Sequence, residues 1–332
     1  MESLSTFPLP DDVEGALALA RTLGPDAPRP GAGSSAEYLA LLERLARHDL
    51  GVARTVEPHL DALAILAEAR LAPSEVGIAD DATWGVFAAE GGDDPLVAHE
   101  DAGRWSLDGV KPWCSLADRL DAALVTAHVG AASGERRLFA VGLRSGAVAP
   151  QEGAWHARGL HEIPSGPVRF TAASAVPVGE AGWYLSRPGF AWGGIGVAAC
   201  WHGGARGVAA AVAAAAARRD DPHLLAHLGA IDTALAASRR ALDEGASAID
   251  EGRAEGRHGS LLAKRVRASV AGAAEEIVVR AGRALGPAPL ALDAEHAKRV
   301  ADLTVYVRQH HAERDDAALG RALLASGETG KW

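Results

Sequence analysis

Several polar side chains near the C-terminus have the helical spacing that would let them exchange a proton. The run RVADLTVYVRQHHAERDDAALGR spans residues 299–321 and has the pattern of one long helix. One face of that helix would carry Asp302, Tyr306, Gln309 and Glu313, and the adjoining face Leu303, Val307, His310 and Arg314. If the first face is buried, it could form a proton-handling network, with Glu313 or His310 as the catalytic base. The alternative is a charged amphipathic helix on the outside of a bundle.

Two other local patterns are weaker indications of a functional site. GGIGVAA, residues 193–199, matches a dinucleotide-binding fingerprint in part, but no strand precedes it and no ribose-binding acid follows. We interpret these glycines as helix-packing residues. His310 and His311 lack a metal-ligand partner at helical spacing, so we expect no metal.

Composition narrows the class of protein. The 332 residues are 48% hydrophobic and 23% charged, as in an ordinary globular protein. A formal net charge of -10 argues against nucleic-acid binding, and no apolar run reaches the length of a membrane span. The opening MESLSTFPLPDD lacks the basic and apolar regions of a secretory signal, and Cys114 and Cys200 are the only thiols. We therefore expect a cytoplasmic protein with reduced cysteines.

The elements that must position these residues fall into three parts. Leu and Ala at helical spacing predict two helices between Ser35 and about residue 70, divided near Asp49 to Gly51. From about Thr83, short runs with period-two alternation predict the strands of a small barrel or sandwich. These runs are WGVFAAE, RWSLDGVKPW, DAALVTAHVG, RRLFAVGLRS and GPVRFTAASAVPV. From about Pro188, long Ala-rich stretches predict helices that pack closely. The fold class is therefore α+β, with expected units 1–83, 84–186 and 187–332.

Several motifs in this order resemble one known family. The strongest is WSLDGVKPWCSLADRLDAALVTA at 105–127, and weaker pieces are FAAEGGDD at 87–94, GLHEIPSGPVRFTAASAVPV at 159–178 and AIDTALAASRRAL at 230–242. Over roughly residues 36–322, the chain resembles the acyl-CoA dehydrogenase flavoproteins, as a divergent and shortened member. That resemblance implies a helical N-terminal domain, a middle β-barrel and a C-terminal four-helix bundle.

The resemblance also implies a flavin, FAD or alternatively FMN. Trp113 and Ser115 match the residues that lie against the isoalloxazine ring and its N5 side. Ala89 and Gly92 match the loop that runs along the flavin, where glycine permits close approach. The alternatives are that Trp113 is a core aromatic beside a hairpin turn and that EGGDD is a solvated turn.

Phosphate-binding arginines are harder to place by resemblance. Arg218 or Arg219 is the counterpart of an arginine that reaches the FAD pyrophosphate of a neighbouring subunit, but the Phe-Gly that normally follows is absent. Arg283 is a second candidate for a phosphate contact, and its alternative role is a solvated charge at a helix end.

The glutamate that acts as base in the dehydrogenases is absent from both places where the family carries it. Tyr306-Val307 stands at one and Gly193-Gly194 at the other. Three functions therefore stay open: an oxidoreductase acting on an acyl thioester such as acyl-CoA or on another small molecule, a monooxygenase of the same fold, and an inactive subunit or scaffold. The family resemblance further implies a homodimer or homotetramer.

Overall fold

A computed structural model describes residues 7–24, 27–130, 134–151, 153, 155–327 and 329. Residues 1–6, which begin the acidic N-terminal stretch, lie outside the described residues. The predicted order of helices, strands and helices is confirmed. Among the described residues, no helix is both long and apolar enough to cross a membrane.

Three helices form the N-terminal part. They are α1 (Val13–Leu23), α2 (Ser35–His48) and α3 (Leu50–Glu68). The predicted division near Asp49 is confirmed, because the Asp49 carboxylate accepts hydrogen bonds from the backbone N–H groups of Gly51 and Val52. An aspartate in this N-cap position satisfies donors that the first turn of a helix leaves free.

Seven strands form one sheet that closes on itself. They are β1 (Trp84–Phe87), β2 (Val97–Asp101), β3 (Arg104–Lys111), β4 (Ala122–Val129), β5 (Arg136–Gly142), β6 (Val148–Pro150) and β7 (Val168–Val178). Pairing runs β4–β2–β3–β7–β5 and returns from β5 to β4, while β1 pairs with β4 and β6 with β7. Closure of this ring confirms the predicted barrel and leaves its main strands without free edges.

Helices make up the C-terminal part. They are α4 (Trp183–Ser186), α5 (Pro188–Ala216), α6 (Pro222–Asp250), α7 (Gly256–Leu285), α8 (Ala288–Leu292), α9 (Ala294–Tyr306) and α10 (Glu313–Ser326). Helix α5 is central, since it packs against α2, α6, α7 and α9. A Cβ atom added at Gly203 would lie 2.3 Å from the carbonyl oxygen of Glu43, so a glycine is needed where α5 meets α2.

The prediction of one continuous helix over 299–321 was wrong. Helix α9 ends at Tyr306, a short 3₁₀ turn follows over Val307–Gln309, and α10 begins only at Glu313. Two contacts account for the break. Arg267 donates to the Gln309 carbonyl oxygen (3.0 Å), and the Asp315 carboxylate accepts from the His311 backbone N–H (3.1 Å). Acidic residues in the first turn of α10 also favour a new helix N-terminus there.

Candidate functional site

Trp113 projects from the turn between β3 and β4. Its side chain is 63% exposed, and its backbone adopts a left-handed conformation with φ of 60°. The turn is held on the barrel by backbone hydrogen bonds from Cys114 N–H to Gly166 O (3.0 Å) and from Leu116 N–H to Pro164 O (2.9 Å). A bulky side chain in this conformation costs about 1–3 kcal/mol, and such strain concentrates at functional sites. The exposed indole therefore offers a broad apolar face to a planar ligand.

Ser115 stands two residues beyond Trp113 in a polar network. Its Oγ lies 2.7 Å from Ser165 Oγ, which donates to the Ile163 carbonyl oxygen (3.1 Å). Because Ser165 has one hydroxyl hydrogen, this arrangement makes Ser115 the donor to Ser165. Ser115 also accepts a hydrogen bond from Arg54 Nη2 (3.0 Å). The Trp113 turn is thereby connected to helix α3.

Arg54 makes that connection with a single buried guanidinium. Its Nη1 donates to Glu57 Oε2 (3.0 Å), while its Nη2 holds Ser115. The guanidinium also stands 5.1 Å from the centre of the Tyr306 ring, in cation–π geometry. The planar group with fixed donors allows one arginine to orient the carboxylate and the hydroxyl together.

Glu57 is a buried carboxyl beside a cavity. Its side chain is only 6% exposed, and burial raises its pKa to about 7, against an opposing effect of Arg54 and with an added contribution from Asp61. No described residue donates a hydrogen bond to its second oxygen, Oε1. A carboxyl group with a pKa near neutrality is suited to exchange protons during catalysis.

The cavity beside Glu57 has a volume of about 590 Å³ and lies among α3, α5, α7 and α10. Its charged and titratable lining includes Glu57, Asp61, Arg187, Lys264, Arg267 and His310. Arg267 lies 4.7 Å from the Trp201 ring and donates to the carbonyl oxygens of Gly194 and Gln309 (3.0 Å each). Burial lowers the pKa of both Arg267 and His310. The cavity is thus large enough for a small molecule and is charged within.

The structure separates the two residues that the sequence nominated as bases. His310 lies at the cavity wall, almost buried, with its ring perpendicular to that of Trp201. Glu313 is exposed in the first turn of α10 and is not part of the cavity lining. The shared face of Glu313 with Asp302 and Tyr306 is lost because the helix is broken between them.

The remaining cofactor candidates are exposed. Ala89 and Gly92 lie in the loop between β1 and β2, next to Glu90, which forms ion pairs with Lys111 (2.8 Å) and Arg136 (3.0 Å). Arg218 follows the end of α5, and Arg283 lies in the last turn of α7. The structure does not bring these two arginines into the network around Ser115.

Sequence reasoning missed Arg54, Glu57 and Asp61. A signal was present, because three charged residues at positions i, i+3 and i+7 share one face of the otherwise apolar helix α3. Gly193 and Gly194, where the resemblance leads one to look for a glutamate, do line the cavity. The cavity obtains its carboxylates from α3 instead.

Solved structures were compared with this arrangement. KijD3 in complex with FMN and dTDP-3-amino-2,3,6-trideoxy-4-keto-3-methyl-D-glucose matches with a TM-score of 0.75 and 19% identity, over 95% of this chain and 92% of that one. Butyryl-CoA dehydrogenase from Megasphaera elsdenii matches with a TM-score of 0.73 and 16% identity, over 96% and 100% of the two chains. This chain has the acyl-CoA dehydrogenase fold.

A third match to this fold is the nitrososynthase from Micromonospora carbonacea var. africana, with a TM-score of 0.73 and 17% identity, over 94% of each chain. No protein-family model matches the chain, and no curated protein matches it by sequence. The likeness therefore concerns the fold, while function must be argued from the site.

Proposed function

We propose that this protein is a flavin-dependent oxidoreductase that acts on a polar small molecule bound in the cavity. The observation that supports this most is the connection from the exposed Trp113 turn, through Ser115 and Arg54, to the cavity-lining Glu57. An exposed indole beside a hydroxyl suits the apolar ring and polar edge of a flavin. The buried carboxylate on the other side suits a substrate that must lose or gain a proton.

The proposed cofactor is FAD or FMN, which would supply hydride transfer to or from the substrate. Trp113 would cover part of the ring, and Ser115 would supply a hydrogen bond if its hydrogen turned away from Ser165. The KijD3 structure was solved with FMN and the XiaF structure with FADH2, so the structural neighbours support either form. We also propose that Arg218 and Arg283 contact the phosphate groups of the flavin.

A polar substrate fits the cavity better than an acyl chain does. Glu57, Asp61 and Arg267 line it, and Glu57 Oε1, which no described residue binds, would gain no hydrogen bond from a hydrocarbon. A monooxygenase of the same fold is the second candidate, because the glutamate that the dehydrogenases use as a base is absent from both of its family positions. An acyl thioester stays the alternative, since the fold is also shared with butyryl-CoA dehydrogenase.

Flavin binding can be measured by dialysis of the purified protein against FAD and FMN, followed by a visible spectrum. We expect retained yellow colour for wild type. Trp113→Ala should weaken binding by about tenfold or more, because an aromatic contact of this kind contributes about 1–3 kcal/mol. Trp113→Phe keeps an aromatic face and should retain most of the affinity.

Leu225→Ala is the matched control, since it removes another exposed apolar side chain, on α6. It should leave flavin affinity unchanged. A wild-type protein that binds neither FAD nor FMN would exclude the proposed function and favour an inactive subunit.

The two enzymatic candidates differ in their use of oxygen. A monooxygenase should consume oxygen when a flavin reductase supplies reduced flavin, whereas a dehydrogenase should reduce an artificial electron acceptor in the presence of acyl-CoA. Acceptor reduction with acyl-CoA and no oxygen uptake would select the dehydrogenase. Oxygen uptake alone would select the monooxygenase.

Self-association is a further proposal. Leu290 and Leu292 on α8 and Leu324 on α10 are exposed apolar side chains of the kind that a homodimer or homotetramer would cover. Light scattering on the purified protein gives the oligomeric state. A cytoplasmic location likewise stays a proposal from the sequence.

A further inference from the structure

Three features single out Glu57 among the carboxyl groups of the described residues. It lines the cavity, its Oε2 is held by Arg54, and its Oε1 receives no hydrogen bond from a described residue. Asp61, one turn further along α3, also lines the cavity, but it lies 4.0 Å from Arg187 and has no link to the Trp113 turn. Glu57 is thus the carboxyl that is both open to a cavity ligand and connected to Ser115.

The connection runs through one side chain. Arg54 Nη1 lies 3.0 Å from Glu57 Oε2, and Arg54 Nη2 lies 3.0 Å from Ser115 Oγ. A guanidinium is planar and stays protonated, so movement at one end of the pair moves the donor at the other end. Both partners of the ion pair are buried, which strengthens their electrostatic interaction relative to a surface pair.

The charged and titratable groups around Glu57 come from five other elements as well as from α3. On α3 these are Arg54 and Asp61. The others are Tyr38 on α2, Tyr184 on α4, Cys200 on α5, Arg267 on α7 and Tyr306 on α9. Burial raises the pKa of the Cys200 thiol and the pKa of the Tyr306 hydroxyl, so both groups stay neutral near pH 7. Burial raises the pKa of Glu57 to about 7, so the charge of this carboxyl changes near neutral pH.

We propose, resting on the function proposed above, that Glu57 exchanges a proton with the substrate through Oε1 and that Arg54 is a positioning residue that transmits its charge state to Ser115. The proton passes from a C–H, N–H or O–H group of the cavity ligand to the free carboxylate oxygen, and the electron pair of the broken bond stays on the ligand atom. The proton returns to solvent after product leaves. Arg54 keeps its own proton throughout. When Glu57 is neutral, its electrostatic attraction for the Arg54 guanidinium is weaker. The guanidinium then donates a stronger hydrogen bond to Ser115.

The first test needs no cofactor and no substrate. Difference infrared spectroscopy of the full-length protein follows the C=O band of protonated carboxyl groups as pH changes. We expect a component with a midpoint near pH 7 in wild type, as burial raises the pKa of Glu57 to about 7. Glu57→Gln should remove that component. Glu37→Gln, which removes an exposed carboxyl from α2, should leave it in place.

Arg54 variants test the positioning role. Arg54→Gln removes the cation that lowers the Glu57 pKa, so the infrared midpoint should move to higher pH by about one unit or more. Arg54→Lys keeps the charge but cannot hold two partners in a plane, so it should shift the midpoint less. This second variant keeps the test usable if Arg54→Gln fails to fold, and circular dichroism reports folding in each case.

Transmission to Ser115 is read from bound FMN. The visible spectrum of the complex should change with the same midpoint as the infrared band, and this change should vanish in Glu57→Gln. In Ser115→Ala the infrared midpoint should persist while the spectral change is lost. Failure of wild type to bind either FMN or FAD would contradict the proposed function alone. An absent infrared component near pH 7, or an FMN spectrum that follows pH equally in Glu57→Gln, would overturn the roles proposed here for Glu57 and Arg54.

Discussion

Arg54 joins two parts of the molecule that the chain places far apart. Its guanidinium holds Glu57 at the cavity and Ser115 on the barrel turn, both at 3.0 Å. A buried ion pair of this kind adds little net stability, because desolvation of both charges offsets their attraction. Its retention at a cavity wall therefore fits a role in positioning better than a role in folding.

The raised pKa of Glu57 predicts a stability change with pH. The carboxyl binds a proton more tightly in the folded protein, with a pKa of about 7 against an ordinary value of 4.5, so ionisation destabilises the fold as pH rises from 4.5 to 7. Glu57→Gln should match wild type below pH 4.5 and exceed it above pH 7, by up to about 3 kcal/mol. Urea unfolding at pH 4.5 and pH 8 measures the difference, and an equal effect at both values would contradict the shift.

Motifs and helical periodicity reveal different kinds of residue. The motif around Trp113 predicted an indole against a flavin or, alternatively, a core aromatic, and the structure leaves that indole exposed rather than in the core. The sequence motifs did not single out Arg54 and Glu57, because helix α3 otherwise follows a buried apolar pattern. Their importance arises from the approach of α3 to the β3–β4 turn, which local spacing does not encode.

At the level of elements, the close approach of α5 to α2 fixes the position of α5, which also lines the cavity. It depends on Gly203, where a Cβ atom would meet the Glu43 carbonyl oxygen. Gly203→Ala should destabilise the protein by about 1–3 kcal/mol through overpacking. Gly229→Ala is the matched control, because α6 has open space at that position and alanine is the better helix former.

Thermal or urea unfolding of the two variants checks this packing. Gly229→Ala should leave stability unchanged or raise it by up to about 1 kcal/mol. A stable Gly203→Ala variant would mean that α5 and α2 are separated more widely than the structure shows.

Strands and helices differed in how well their limits could be predicted. Period-two alternation identified β1, β3, β4, β5 and β7, whereas β2 is short and largely polar and β6 has three residues, so both were missed. The pattern over 299–321 predicted one helix because its spacing is helical on both sides of the break. The break itself depends on Arg267 from α7, a tertiary contact that periodicity cannot show.

On the scale of the whole molecule, the three-part order was the most predictable feature, since each part changes the hydrophobic period of the sequence. The fold is confirmed by the structural matches, but the cavity that α3, α5, α7 and α10 enclose is a product of assembly. Its lining combines charged side chains on α3 and α7 with apolar side chains on α5. Those charged side chains are the reason why we propose a polar substrate.

A crystal structure of the full-length protein grown with FMN tests the central claim most directly. We expect the flavin ring in van der Waals contact with the Trp113 indole, and Ser115 Oγ within hydrogen-bonding distance of the ring edge. Glu57 should face the cavity beside it. Saturating FMN with Trp113 still free in solvent, or a ring bound at another surface, would contradict the account.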